Sequence, residues 1–293
     1  ERGLSGSLRN GLRMVSQEIA QRPKSFGKVA FVTPEVVETA EEHVQRGDGY
    51  FAQGKIDEAL AEYERAVEID PENGTTFARW GHLLAIRRRY REAVEKTKRA
   101  VELDPGSAEA YAFLSMALDW SGEYQEAIAA ALRATEINPG YAEAYAYLAA
   151  AYADLDQYEE ALENAQTAVG LDGRSYIAHF NYGCVLERMG NYRQAVAEYE
   201  KATELMPTLG YLFIRLGKNY WALEGYEEAI ARLQRATELD PHDPEGYDFL
   251  GLIYLGREDH ERAVVLLQKA IEADPQFANA FGHLGLVYYK QRK

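Results

Sequence analysis

The chain stops a helix in the same way at a fixed interval. The phrases AVEIDP (66–71), AVELDP (100–105), ATEINP (134–139), ATELMP (202–207), ATELDP (236–241) and AIEADP (270–275) place prolines 34 residues apart, with one step of 68. Gly173, in AVGLDGRS, stands halfway through that longer step. A constant period of this length marks a repeat architecture, in which each unit buries its apolar face against its neighbours only. Setting proline at place 32 gives units starting at 40, 74, 108, 142, 176, 210 and 244, and a sixteen-residue remainder from 278.

Within the unit 108–141, Ala110, Tyr111, Leu114, Ala117 and Leu118 recur at three and four, the stripe of an amphipathic helix. Gly122 supplies a C-terminal stop, and Tyr124, Ala127, Ile128, Ala131 and Ala134 form a second stripe. Asn138-Pro139 ends it, since proline cannot continue the hydrogen-bond ladder and restricts the residue before it. Each unit therefore predicts two antiparallel helices, and each proline phrase is a hinge between stacked hairpins.

The invariant places are small. Place 20 is alanine in all seven full units (Ala59 to Ala263), place 27 likewise (Ala66 to Ala270), and place 8 is always Gly, Ala or Ser. Small side chains permit the close helix approach that a larger one would block. Place 4 carries rings: His43, Phe77, Tyr111, Tyr145, His179, Phe213, Tyr247 and Phe281. On these places the units resemble tetratricopeptide repeats, whose signature sets a large residue at 4, Leu-Gly at 7–8, Tyr at 11, Ala at 20 and 27, an aromatic at 24 and Pro at 32. The resemblance covers 40–293. It implies an all-α fold, a right-handed superhelix of seven full repeats with a C-terminal half-repeat helix. Gly173 for proline, Arg46 at place 7, and Thr97, Ala131 and Ala165 at place 24 depart from the pattern.

Residues 1–39 form a separate basic extension, read as partly helical and partly extended. Leu4, Leu8, Leu12, Val15 and Ile19 make a stripe broken by Gly6 and Gly11, and 1–33 carries a net +4 against −7 for the first repeat. Thr33-Pro34-Glu35 predicts that the first repeat helix begins near Pro34.

The net charge of −15 argues against nucleic acid as a partner, because phosphate binding needs a basic surface. No run of apolar residues is long enough to span a membrane. The lone Cys184 rules out an internal disulfide and fits a reducing, cytoplasmic setting. The absent initial methionine suggests a piece of a longer protein. No phosphate-binding, nucleophile-elbow, zinc or thiol-redox motif occurs, so no catalysis, cofactor, metal or small-molecule substrate is expected. His43 and His179 read as core, Cys184 as a packed thiol, and His82 and His283 as groove-facing.

The resemblance implies that the first helix of each unit lines a concave, peptide-binding groove. Carried onto this chain, its candidate residues are Arg79, Phe113, Met116, Trp120, Tyr147, Phe180, Asn181, Arg188, Tyr211, Arg215, Lys218, Trp221 and Phe249. Two readings follow: a scaffold that binds a protein segment in the groove, or a recruiting arm of a larger enzyme or membrane assembly. The last helix is a candidate for self-association. Phe281, Leu284 and Tyr288 are expected to face the preceding unit, leaving Leu286, Val287 and Tyr289 without a neighbour.

Overall fold

Residues 38–291 are described by a computed structural model, and among them every regular element is a helix. The first unit is α1 (Ala40–Ala52) and α2 (Ile56–Ile69), the second α3 (Gly74–Ile86) and α4 (Tyr90–Leu103), the third α5 (Ala108–Ser121) and α6 (Tyr124–Ile137). There follow α7 (Ala142–Asp154) and α8 (Tyr158–Leu171), α9 (Tyr176–Arg188) and α10 (Tyr192–Leu205), α11 (Gly210–Ala222) and α12 (Tyr226–Leu239), α13 (Pro244–Gly256) and α14 (His260–Ala273). The lone helix α15 is Ala278–Gln291. The described residues form an all-α solenoid of stacked helix hairpins. The stripe at Leu4–Ile19 and the Thr33-Pro34 start lie outside the described residues, but α1 does not begin at Pro34. Thr39 is extended (φ −87°, ψ 159°), and its hydroxyl accepts from the Glu42 N–H while the Glu42 carboxylate accepts from the Thr39 N–H at 2.7 Å. That capping box fixes the start at Ala40.

The hinges have a common chemistry. Asp70, Asp104, Asn138, Asp172, Asp240 and Asp274 each accept, through a side-chain oxygen, the backbone N–H two residues on, at 2.8–3.2 Å. This local turn is why Gly173 can replace proline: Asp172 holds it unaided. The turns within hairpins share a different device. Place 15 lies at positive φ in all seven units: Gly54, Gly122 and Gly190, but also Arg88, Asp156, Glu224 and Glu258.

Helices of a hairpin meet where place 8 faces place 24. A Cβ on Gly47 would lie 2.6 Å from the Tyr63 ring, and one on Gly183 2.8 Å from that of Tyr199. At Gly217 and Gly251 the obstacle is Leu233 or Leu267, at 2.7 and 2.8 Å. The two units with alanine at 24, Ala131 and Ala165, carry Ser115 and Ala149 at place 8 instead. The summed volume is held nearly constant.

The stack curls until its ends touch. The Thr208 hydroxyl donates to the Ala52 carbonyl at 3.0 Å, and Gly54 packs directly on the Thr208 carbonyl. Arg87 bridges Asp57, at 2.8 Å, and Asp240. Arg88 pairs with Glu245 at 3.1 Å and lies 5.3 Å over the Phe277 ring. The turns of hairpins one and two thus clasp the hinges that follow units five, six and seven. One buried cluster accordingly holds Val44, Ile56 and Leu83 together with Phe180, Leu209 and Leu216.

The expected facing of α15 needs correction. Val287 is wholly buried against Leu255, Ala263 and Leu267, whereas Phe281 and Tyr288 are about half exposed. Val287 stands at place 10, which is also buried at Leu83, Ala117, Ala151, Val185 and Ile253. Leu286 is exposed, and Gly285 has nothing where other units bring place 24.

Candidate functional site

The first helices α1 to α13 line the inside of the curl, and rings bridge them. His82 stacks on Phe113 with centroids 4.4 Å apart and meets the edge of Phe51 at 5.5 Å; Phe113 meets Tyr147 edge-on at 6.3 Å, and Phe180 meets Tyr211 at 5.2 Å. The side chains of Phe113, Met116, Tyr147, Phe180 and Asn181 are therefore buried, and they are no free surface for a peptide. Successive first helices converge on the inside of the curl, so these rings fill the wedge between units. Asn181 donates to the Ile177 carbonyl at 2.9 Å, and Arg79 is held by Asp48 at 2.6 Å and Glu109 at 3.3 Å. His82, sealed in the stack, is pushed down to about 3 by burial. His283 instead meets Asp248 at 2.7 Å.

The remaining candidates, Trp120 of unit three apart, lie in units five to seven. Trp120, Tyr211 and Phe249 are partly accessible, and the side chains of Arg188 and Arg215 are about half exposed. Trp221 is 43% exposed and meets the edge of Phe249 at 6.1 Å, while the Lys218 ammonium sits 4.4 Å from the Phe249 centroid. Lys218 also pairs with Glu245 at 2.7 Å.

Beside this patch lies a chamber of about 260 Å³. Its walls are the last turns of α3, α5 and α7, both ends of α9, and the starts of α4, α6, α11 and α13. Ala85, Tyr90, Trp120, Phe180 and Tyr211 share it with Arg88, Asp119, Asp154, Arg188, Arg215, Asp243 and Glu245. A smaller recess of 80 Å³ behind Trp120 adds Glu187 and Cys184. Arg188 pairs with Asp154, and Arg215 with Glu187 at 3.4 Å, where Glu187 also accepts from Tyr199 and Asn219 at 2.6 and 2.9 Å. Asp119 and Asp154 are interacting neighbours, and burial holds both carboxyls above the usual carboxylate range, so the pair retains a proton more readily than free carboxylates do. Asp243 is pushed up to about 6, again by burial. Burial raises the Cys184 thiol to about 11, a packed thiol rather than a nucleophile. Among the described residues no three His, Cys, Asp or Glu side chains could hold a metal ion, and no helix is long and apolar enough to cross a membrane.

Asp119, Asp154 and Glu187 stand at groove-lining places 12 and 13 of the repeat, whereas Asp243 and Glu245 were not singled out from sequence. The signal for the first three is chemical type at the last turn: places 12 and 13 read Asp119, Asp154, Glu187 and Arg188 where other units carry apolar residues.

Comparison with known proteins agrees with this architecture. Profiles described as TPR repeat or tetratricopeptide repeat match residues 47–85, 79–142, 130–163, 176–209, 214–278 and 250–293. No curated protein sequence matches the chain. Among solved structures, a tetratricopeptide repeat protein from Parabacteroides merdae superposes with a TM-score of 0.56 at 17% identity, over 85% of this chain and 98% of that one. The Cut9–Hcn1 hetero-tetramer of the APC/C gives 0.60 at 17% identity, over 95% and 59%. The human IFIT1 dimer with m7Gppp-AAAA gives 0.66 at 15%, over 96% and 72%. Folds of this kind serve in general as protein-interaction scaffolds and are typically non-catalytic, while the IFIT1 complex leaves the exclusion of nucleic acid without support. From α1 to α15, then, repeat spacing, hairpin packing and matched profiles agree: the chain belongs to the tetratricopeptide repeat family.

Proposed function

We propose that the chain is a non-enzymatic interaction scaffold that holds a segment of a partner protein against its inner face at units five to seven. The observation that carries this is Trp221. On an inner face where Phe113, Tyr147 and Phe180 are consumed by packing, it stands 43% exposed, braced by Phe249 and flanked by Lys218. A large ring held rigid at an accessible surface costs little ordering on binding and is the usual anchor of an interface. The likeness to the Cut9–Hcn1 hetero-tetramer supports a protein as that partner.

Selection of displayed random peptides against the full chain should yield binders that lose about 30-fold or more in affinity when Trp221 and Phe249 are changed to alanine. They should bind unchanged to Val265→Glu, on the far side of α14. Peptides that bind the double variant as well as the parent would end this reading. RNA is the second reading, favoured by the IFIT1 complex and opposed by the net charge of −15. Titration with m7Gppp-AAAA should show no binding; salt-dependent binding would put RNA in place of the peptide.

A further inference from the structure

The chamber holds more carboxylates than cations to match them. Its three arginines are each committed: Arg188 to Asp154, Arg215 to Glu187 and Arg88 to Glu245. Two acids of the wall, Asp119 and Asp243, carry no ion pair. Asp119, a residue of the chamber wall, is 5% exposed, and its Oδ1 is buried without a hydrogen-bond partner. A buried acceptor left in that state keeps its desolvation penalty uncompensated, so it invites a donor. Asp119 and Asp154 also stand in the last turns of α5 and α7, where the helix dipole disfavours negative charge and favours a cation. Tyr90, Trp120, Phe180 and Tyr211 put aromatic rings in the same wall, the kind of side chain on which an organic cation rests. Metal is the poorer guest, because among the described residues no cluster has a metal-holding arrangement.

We infer that the chamber is a receptor for the ammonium or guanidinium end of an alkyl chain, held by the Asp119 and Asp243 carboxylates and the surrounding rings. The inference deepens the scaffold reading and rests on it. It names the chemistry that enters beside Trp221: a lysine or arginine side chain of the partner, or the same cation on a free polyamine. On entry, the proton of the Asp119–Asp154 pair is released to solvent and the cation takes its place. The charged and titratable groups around Asp119 are Tyr124 of α6, Asp154 of α7, Cys184, Glu187 and Arg188 of α9, Tyr211 and Arg215 of α11, Arg88 and Tyr90 at the start of α4, and Asp243 and Glu245 at α13.

Calorimetric titration of the full chain with spermidine, with Gly-Gly-Lys-Gly-Gly and with Gly-Gly-Arg-Gly-Gly separates the two sources. At least one probe should bind with proton release, seen as heats that differ between buffers of unlike ionisation enthalpy. Its affinity should rise from pH 6.5 to 8.5 as the Asp119–Asp154 pair gives up its proton. Asp119→Asn, close in shape to the protonated acid, should weaken it at least tenfold and remove the pH dependence. Asp243→Asn, which keeps the helix cap, should weaken it separately, so a misfolded Asp119 variant would still leave a test. No heat from any probe, or equal binding by both folded variants, overturns the inference. Peptides selected through Trp221 that lack lysine and arginine, together with no heat from spermidine, would leave the scaffold reading standing and sink this one alone.

Discussion

His82 shows how one side chain changes meaning once its neighbours are known. Its place in the repeat suggested a groove-facing imidazole, but Phe51 and Phe113 enclose it, and burial lowers its pKa to about 3. Above pH 6.5 neither the folded nor the unfolded chain protonates it. Between 6.5 and about 3 only the unfolded chain takes up the proton, so stability falls with acid by about 1.4 kcal/mol per pH unit. His82→Phe should therefore lose about 2 kcal/mol less than the parent between pH 6.5 and 5, read from urea midpoints. Equal losses in the two proteins would show that the imidazole is hydrated. His43 and His179, read from sequence as core, are indeed buried, and each has a partner that the sequence reading passed over. Glu62 and Glu198, both nineteen residues on, lie 2.7 and 2.6 Å from the imidazole nitrogens.

At the level of the helix hairpin, the prolines and glycines marked where helices end, but not the backbone state that ends them. Gly122 was legible as a left-handed stop, and the same conformation recurs at Arg88, Asp156, Glu224 and Glu258, where residue type gave no sign. The turn is imposed by the packing of the two helices, and a side chain there bears about 1–2 kcal/mol of strain, partly offset by its lower unfolded-state entropy than glycine. Glu224→Gly and Glu258→Gly should each stabilise the chain by about 0.5–1 kcal/mol, whereas Gly122→Ala should destabilise it by about 1 kcal/mol. Thermal midpoints that move the other way for both glutamates would mean that their side chains hold the turn. The pairing of place 8 with place 24 was half legible. Small residues at 8 were recognised, but the reciprocity, glycine opposite Tyr63, Tyr199, Leu233 and Leu267 and a larger residue opposite Ala131 and Ala165, emerges only when both helices are laid together.

Across the whole molecule, the clasp decides how open the inner face is. Arg87 is largely buried and joins two carboxylates from distant units, and Gly54 leaves no room for a Cβ against Thr208. The combination Gly54→Val with Arg87→Ala should open the curl. The radius of gyration from solution scattering should increase while helical circular dichroism stays constant, because each unit is held by its own neighbours. Loss of the partly buried Arg87 also strands Asp240, at a cost of about 1–3 kcal/mol. An unchanged radius in the folded variant would mean that unit-to-unit packing alone sets the curvature.

The period, the two helices per unit, the hinges and the small invariant places could all be read from the amino-acid string. Each is a contact between residues less than one repeat apart, and recurrence multiplies the signal. The half-legible features are those in which the local rule is right but the direction is not. Place 5, 6 and 9 residues do face inward, yet the inward wedge closes on Phe113, Tyr147 and Phe180 while leaving Trp221 open. What no periodic pattern announced was the closure itself. Its contacts join Thr208 to Ala52, Arg87 to Asp240 and Arg88 to Glu245, across 156, 153 and 157 residues. Each occurs once, between side chains whose types are unremarkable at their own places. A small rotation per unit, summed over five units, brings them together and encloses the charged chamber, and that sum is a property of the packed stack.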